Sequence, residues 1–279
     1  MWSAVQKDFF QNSTHSFNFL CGAVSSGKTY ISNIRWFDYV MNEAPNDCLL
    51  IMSGKTMESL YDNCIRDLKA MDDGINDWSF SHIRPGAVSR IKVISKNIEI
   101  SCIGADNEAS WKRSQGKTTA GAYFDEITNQ PKNLVKLVSK GCRHLGKQWP
   151  KFATTNPDVP SHYIRTDYLL NKKIDIAIWQ FYMTDNPSLT KEYKEELENT
   201  YSGVMYDRFI LGKWVASSEH TVYRFDRKLN EVKTNLDFMA GQDSYMTFDF
   251  GVNDPTFIIV CQILQVPKSM NKMGVNKYN

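Results

Sequence analysis

Short apolar runs alternate with longer amphipathic stretches through most of the chain. The runs FNFLCG (17–22), CLLIMS (48–53), GAYFDE (121–126), KFATT (151–155) and IAIWQFYM (176–183) read as buried strands. AVSRIKVIS (87–95) and NIEISCIG (97–104) read as a hairpin-like pair. Between them, KTYISNIRWFDYVM (28–41) places Ile31, Ile34, Trp36, Phe37, Val40 and Met41 roughly at helical spacing. Further helices are predicted over Thr56–Met71 and Thr190–Tyr201. Thr190 is the N-cap candidate of the second, whose lysine–glutamate pairs suit a solvated face. Strands alternating with helices predict an α/β fold with a doubly wound sheet. Residues 216–244 are polar, with interspersed charges and a glycine near the end, and read as a linker. Two further strand patterns follow, YMTFDFG from Tyr245 and TFIIVCQILQV (256–266), and then the polar stretch PKSMNKMGVNKYN.

Composition changes this picture little. The 279 residues allow one large domain, or one domain and part of another. Net charge is +2, so a nucleic-acid partner would be held by a local basic patch and not by the whole-molecule field. Six cysteines form no C-x-x-C pair and show no zinc spacing with histidine, which fits reduced, buried thiols. The N-terminal stretch lacks a continuous apolar region, and no run is long enough to cross a bilayer. A cytoplasmic protein without a membrane partner is expected.

Chemistry enters with GAVSSGKT, Gly22 to Thr29, a G-x-x-x-x-G-K-T motif lying between a predicted strand and a predicted helix. Gly22 would turn the chain off the strand, and Gly27 would let the backbone approach phosphates. The N–H groups between them, including those of Ser25 and Ser26, would form an anion nest. Lys28 would reach the β- and γ-phosphates, and the Thr29 hydroxyl would coordinate Mg²⁺. A glycine-rich turn without ligand would share the pattern but would not need the flanking strand and helix.

The apolar run ending in Asp125-Glu126 supplies the second half of such a site. A buried strand delivers its terminal carboxylates to the sheet edge where the P-loop sits. Asp125 would hold Mg²⁺ through water, and Glu126 would orient and deprotonate the attacking water. KFATT and the following Asn156-Pro157 end a third strand. Thr155 and Asn156 could there touch the γ-phosphate, although a simple Asx-Pro turn has the same spelling.

Together these segments resemble the large terminase subunit of tailed bacteriophages, the motor that packages DNA into procapsids. RSQGKTTAGAYFDEIT is similar to the family's segment leading into its Walker B strand, and FATTNPDVPSHYIRTDYL to its coupling motif. FYMTDNPSLTKEYKEELENTYSGVMYDRFILGKWVASSEHTVYRFD (181–226) resembles the close of its ATPase domain. YMTFDFGVNDPTFIIV (245–260) resembles the first strand of its RNase H-like nuclease. The resemblance implies an ASCE-type P-loop ATPase domain over 1–215, a linker over 216–244 and an incomplete nuclease domain over 245–279. It implies ATP and Mg²⁺ as cofactors, with Mg²⁺ or Mn²⁺ for a complete nuclease. Its implied partners are double-stranded viral DNA, the small terminase subunit, the portal protein and further copies in a ring.

The resemblance also assigns residues. Gln6 would recognise adenine, with Gln11 as the competing choice. The P-loop holds no arginine, so Arg113 is the candidate for stabilising the transferring phosphoryl group, with Arg143 in reserve. Asp249 would bind a nuclease metal, and Asp254 follows it. Two-metal nucleases need carboxylates gathered from several strands, and no Asp or Glu follows Asp254. The expectation is therefore a chain truncated within the nuclease domain and inactive as a nuclease. Two other readings use the same core: a helicase-like translocase, and a fragment that binds ATP without turnover. The first would need a second recombinase-like domain and a late glycine-arginine motif, and neither is found. The second has no need of Lys28, Asp125 and Glu126 together.

Overall fold

The computed structural model describes residues 2–84, 87–106, 112, 115–216, 240–241, 243–249 and 257–262. It falls into two units, residues 1–221 and 222–279.

In the first unit the chain opens with α1 (Ala4–Asn12), whose first turn is closed by a capping box. The Ser3 side chain accepts from the Gln6 N–H, and the Gln6 side chain accepts from the Ser3 N–H. β1 (Phe17–Gly22) leads through the loop into α2 (Lys28–Asp38), which runs on as a π turn over Tyr39–Glu43. β2 (Leu49–Gly54) is followed by α3 (Met57–Leu60), a π turn over Tyr61–Ile65 and α4 (Arg66–Asp72). The single helix predicted over Thr56–Met71 is thus wound more loosely through its middle. Then come β3 (Trp78–Arg84), β4 (Ala87–Val93), β5 (Ile98–Gly104), β6 (Ala122–Phe124), α5 (Lys132–Gly141), β7 (Lys151–Thr155), β8 (Ile176–Phe181) and α6 (Lys191–Thr200). Thr190 caps α6, accepting from the Tyr193 N–H.

Eight strands form one sheet in the order β3-β4-β5-β2-β6-β7-β1-β8. From β5 to β8 every neighbouring pair is parallel, while β3, β4 and β5 form an antiparallel edge. Parallel strands covered on both faces need apolar side chains on both. Leu20, Tyr123 and Phe152 accordingly join one core with Ile31, Trp36 and Leu68. Their strand neighbours Phe19, Phe124 and Ala153 join the other with Leu134, Val138 and Ile164. The short run of β6 is buried at every position, so whatever follows it leaves the sheet at a fixed place.

The second unit contains an antiparallel pair, β9 (Ser244–Asp249) and β10 (Phe257–Gln262), with Asp249 opposite Phe257.

Candidate active site

β1 enters the P-loop between two neighbours, and the reason for Gly22 lies there. The Ala23 N–H donates to the Phe181 carbonyl of β8 (3.0 Å), and the Val24 N–H to the Phe209 carbonyl (2.8 Å). A Cβ on Gly22, whose φ is +149°, would stand 1.9 Å from the Phe181 oxygen. The close approach of β8 demands glycine here, more than the sharp turn expected from the motif. Ser25 is exposed with φ +52°, and its carbonyl accepts from the Asn186 side chain (2.7 Å). Ser26 is buried and donates to the Ala23 carbonyl (2.8 Å), which tightens the loop. Gly27, with φ +82°, starts α2 without a side-chain cap, an arrangement suited to an anion at the helix N-terminus. Thr29 is half-buried in the first turn.

Lys28 is only 7% exposed. Its ammonium donates to the Gly22 carbonyl (3.2 Å), the Ala23 carbonyl, the Ser26 hydroxyl (3.3 Å) and Asn156 Oδ1 (3.0 Å). Burial lowers its pKa to about 8, although Cys21, Glu126 and Asp125 favour the charged form.

Asp125 leaves β6 at the same sheet edge and is 1% exposed. The Asn63 amide donates to its Oδ2 (2.8 Å) and the Thr154 hydroxyl to its Oδ1 (2.9 Å). Burial raises Asp125 to about 6, and these two hydrogen bonds pull the other way. Glu126 follows in the left-handed region, φ 47° and ψ 55°, a conformation that costs a non-glycine residue about 1–3 kcal/mol. Its N–H donates to the Thr154 hydroxyl (2.9 Å), and its Oε2 accepts from the Asn129 amide (3.0 Å). One threonine hydroxyl thus ties the backbone of Glu126 to the carboxylate of Asp125.

β7 lies between β1 and β6, so KFATT runs between the two halves of the site. Alternation then separates Thr154 from Thr155. Thr155 donates to the Thr128 hydroxyl (3.2 Å) and to the Asn156 carbonyl (3.1 Å). Of the two predicted phosphate contacts, Asn156 reaches Lys28, whereas Thr155 faces the turn after Glu126. Sequence reasoning passed over Asn63 and Asn129. It took Thr154 with Thr155 and Asn156 as one polar strand end, and strand parity separates them, since Thr154 must face opposite to Thr155. Asn63 had no local signal, because it is placed by a π turn and by the Asn33 amide, which donates to its carbonyl (2.9 Å).

Two cavities adjoin the loop. One, of about 350 Å³, is lined by Ser25 to Tyr30 with Asn186, Leu189 and Tyr193. The other, of about 320 Å³, is lined by Trp2, Gln6, Gly27, Tyr30, Asn186 and their neighbours. Gln6 is 2% exposed, and its Nε2 lies 2.7 Å from where a Cβ on Gly27 would stand. Gln11 is exposed on α1.

The family profile described as terminase large subunit, T4likevirus-type, N-terminal, matches residues 19–228, about three quarters of the chain. The chain belongs to this terminase family. Among solved structures it is similar to the large terminase of a thermophilic bacteriophage, at 26% identity and a TM-score of 0.69, covering 95% of this chain and 66% of that one. The same phage's large terminase in complex with ADP matches at 25% identity and a TM-score of 0.67, covering 94% of this chain and 65% of that one. The chain therefore spans slightly less than two thirds of the length of these relatives. The large terminase ATPase domain of Thermus phage P74-26 matches in fold, at 12% identity and a TM-score of 0.56, over 76% of this chain and 93% of that one. Comparison with curated protein sequences returns no match. The ASCE-type P-loop fold of the terminase ATPase domain is thus the fold of the first unit.

Of the terminase residues expected from sequence, Arg113 and Asp254 lie outside the described residues, as does the side chain of Asp249. Arg143 is exposed just after α5. The neighbouring His144 N–H donates to the carbonyl of Thr119, which precedes β6. Arg143 therefore sits at the starting ends of β6 and β7, and Lys28 at their far ends. Among the described residues no helix is long and apolar enough to cross a membrane, and no cluster of three His, Cys, Asp or Glu could hold a metal.

Proposed function

We propose that this chain binds ATP with Mg²⁺, hydrolyses it, and uses the cycle to move double-stranded DNA as the motor subunit of a phage packaging terminase. The observation that carries the reading is the meeting of Lys28, Asp125 and Asn156 at one edge of a parallel sheet, with Thr154 joining Asp125 to Glu126.

The uncapped start of α2 and the Lys28 ammonium together form a cationic seat for phosphates. Gly22, Ala23 and Ser26 hold that ammonium in place, and phosphate oxygens would take over these contacts. Anionic partners also offset the burial that lowers Lys28, so the bound state keeps it charged. The Asp125 carboxylate and the Thr29 hydroxyl are hard oxygen donors, and they suit Mg²⁺. The ion would neutralise charge on the β- and γ-phosphate oxygens. Glu126 is the base and orienter of water. Its left-handed backbone, held by Thr154, turns it out of the buried strand, and Asn129 fixes its carboxylate. Gln6, Trp2, Tyr30 and Asn186 line a seat for the base beside the phosphate loop.

Work on DNA would involve a ring of copies, the small terminase subunit and the portal protein, in the host cytoplasm. The arginine that completes the phosphoryl site would be Arg113, supplied by a neighbouring copy. The Asp249 side of the chain belongs to the nuclease part of the terminase plan, with Mg²⁺ or Mn²⁺ as its metal.

Steady-state phosphate release by the full chain, with and without linear double-stranded DNA, tests this. Glu126→Gln is expected to lower turnover about 10²–10⁴-fold while leaving ATP affinity within a few-fold. Turnover indifferent to Glu126 would reject the site, and turnover indifferent to DNA would reject the coupling.

A further inference from the structure

The basic residues around the acidic strand divide into two groups. Lys132 and Lys136 on α5 share one carboxylate, Asp167, at 2.7 and 4.0 Å, so part of their charge is answered within the fold. Lys140, one turn further along the same face, is not paired in this way. It lines a groove of about 220 Å³ with Lys117, Arg143, Gln115 and Leu137. Among the described residues no carboxylate lines that groove, and none of the three cations is in an ion pair. Lys140 and Arg143 are exposed and Lys117 is half-exposed.

The groove is held open by backbone. The Thr119 N–H donates to the Gly141 carbonyl (2.8 Å) and the His144 N–H to the Thr119 carbonyl (3.2 Å). Gly116 and Gly141 keep side chains off its wall, and a Cβ on Gly141 would stand 3.0 Å from the Lys117 carbonyl. The groove lies at the starting ends of β6 and β7, the full length of the sheet from Lys28. It is therefore separate from the phosphate seat of its own chain. Three cations with no ion-pair partner among the described residues, around a backbone-lined groove, suit a repeating phosphate anion. Among the described residues its lining holds no aromatic side chain for stacking and no carboxylate for reading cytosine.

We propose that the Lys117–Lys140–Arg143 groove grips the phosphodiester backbone of double-stranded DNA without reading its sequence. This rests on the reading that DNA is the load. The probe is a linear duplex of mixed sequence, titrated with the full chain by fluorescence anisotropy from 50 to 200 mM salt. Each phosphate contact steepens the plot of log K against log salt by about 0.9, so the triple variant Lys117→Ala/Lys140→Ala/Arg143→Ala should lose about 2.7 from the slope. Over that salt range its affinity should fall about 40-fold less than that of the parent. The single variants should each lose about 0.9, which keeps the test open should the triple variant fail to fold. Lys132→Ala/Lys136→Ala should change the slope little. Parent binding with an unchanged slope in these variants would overturn the groove and leave the DNA reading standing. Absence of DNA binding by the parent would overturn both. Unchanged DNA binding with loss of ATP-dependent self-association would overturn the proposal in favour of the phosphates of a neighbouring copy's nucleotide.

Discussion

Lys28 and Asp125 are both nearly buried, 7% and 1% exposed, and burial drives both toward neutrality, to about 8 and about 6. They are held in different ways. Three of the four acceptors around the Lys28 ammonium come from its own loop, no more than six residues away. Both donors on Asp125 come from afar, Asn63 at 62 residues and Thr154 at 29. The phosphate side of the site is a local structure that one stretch of chain writes for itself. The carboxylate side exists only once the sheet and the helix above it have assembled. Damage should spread differently from the two sides, and that difference can be measured.

The largest effect is expected at the local side. Lys28→Ala removes the buried cation of the loop while leaving β1 and α2 supported by their cores. Charge-assisted hydrogen bonds contribute about 1.5–3 kcal/mol each, so two lost phosphate contacts should weaken ATP binding about 10²-fold or more. Isothermal titration reads this directly. The melting temperature should move little, because the loss is confined to the loop.

The next effect belongs to the assembled side. Thr154→Val keeps the shape but deletes the hydroxyl that serves Asp125 and the Glu126 N–H together. It should cost about 1–3 kcal/mol of stability and reduce turnover about 10- to 100-fold. Thr155→Val removes only contacts to Thr128 and a neighbouring carbonyl, so its turnover should stay within a few-fold. Equal losses in the two variants would erase the distinction between the faces of β7.

The same contrast explains what could be read in advance. FNFLCG, GAVSSGKT and the Asp-Glu pair are contiguous, and their spacing carries their geometry. The hairpin of β4 and β5 and the strands of the parallel region followed from apolar runs with clear ends. β3 was missed because WSFSHIR mixes polar and aromatic positions. α1 was missed although Ser3 and Gln6 spell a capping box, the one signal that could have found it. Asn63 acts across the fold and Asn129 within a turn whose backbone is unusual, and no period marks either, whereas strand parity marks Thr154. Composition can also mislead. FIIVCQ of β10 reads like FNFLCG of β1, yet Ile258, Ile259 and Val260 are exposed while every residue of β1 is buried. Apolar strand patterns identify strands, and the layers that cover them are a separate matter.

A smaller, pH-dependent effect separates the two charges. Asp125 lies above its ordinary value, so below about pH 6 it holds a proton that must leave before a metal can be bound. Binding of Mg²⁺-nucleotide should weaken as pH falls through 6, by about tenfold at pH 5, while binding without Mg²⁺ should change far less over the same window. In the unliganded fold the sign is reversed. A raised carboxyl pKa favours the protonated folded state, so Asp125 contributes more to stability as pH falls from about 6 toward its unfolded value near 4. Nucleotide titrations with and without Mg²⁺ across pH 5 to 8 would expose the binding limb, and denaturant unfolding of the unliganded chain across pH 4 to 7 the stability limb. A metal-dependent curve flat through pH 6 would remove Asp125 from the metal site.

The finest distinction lies within the acidic turn itself. Asn129 sits in the short turn after Glu126 and donates to its carboxylate across only three residues. It is a local contact on a side whose carboxylates are otherwise held from afar, beside the Gln130 amide that donates to the Asp125 carbonyl (2.8 Å). Asn129 is exposed, so Asn129→Ala should leave stability within about 0.5 kcal/mol. It frees the Glu126 side chain without touching Thr154 or Asp125. Turnover should therefore change by a few-fold at saturating ATP, with KM nearly constant, because the contact orients a base and not a substrate. A change in KM without one in kcat would mean that Asn129 shapes the nucleotide seat. An effect as large as that of Thr154→Val would mean that local and long-range contacts hold this carboxylate equally, and the two sides of the site would no longer be distinct in kind.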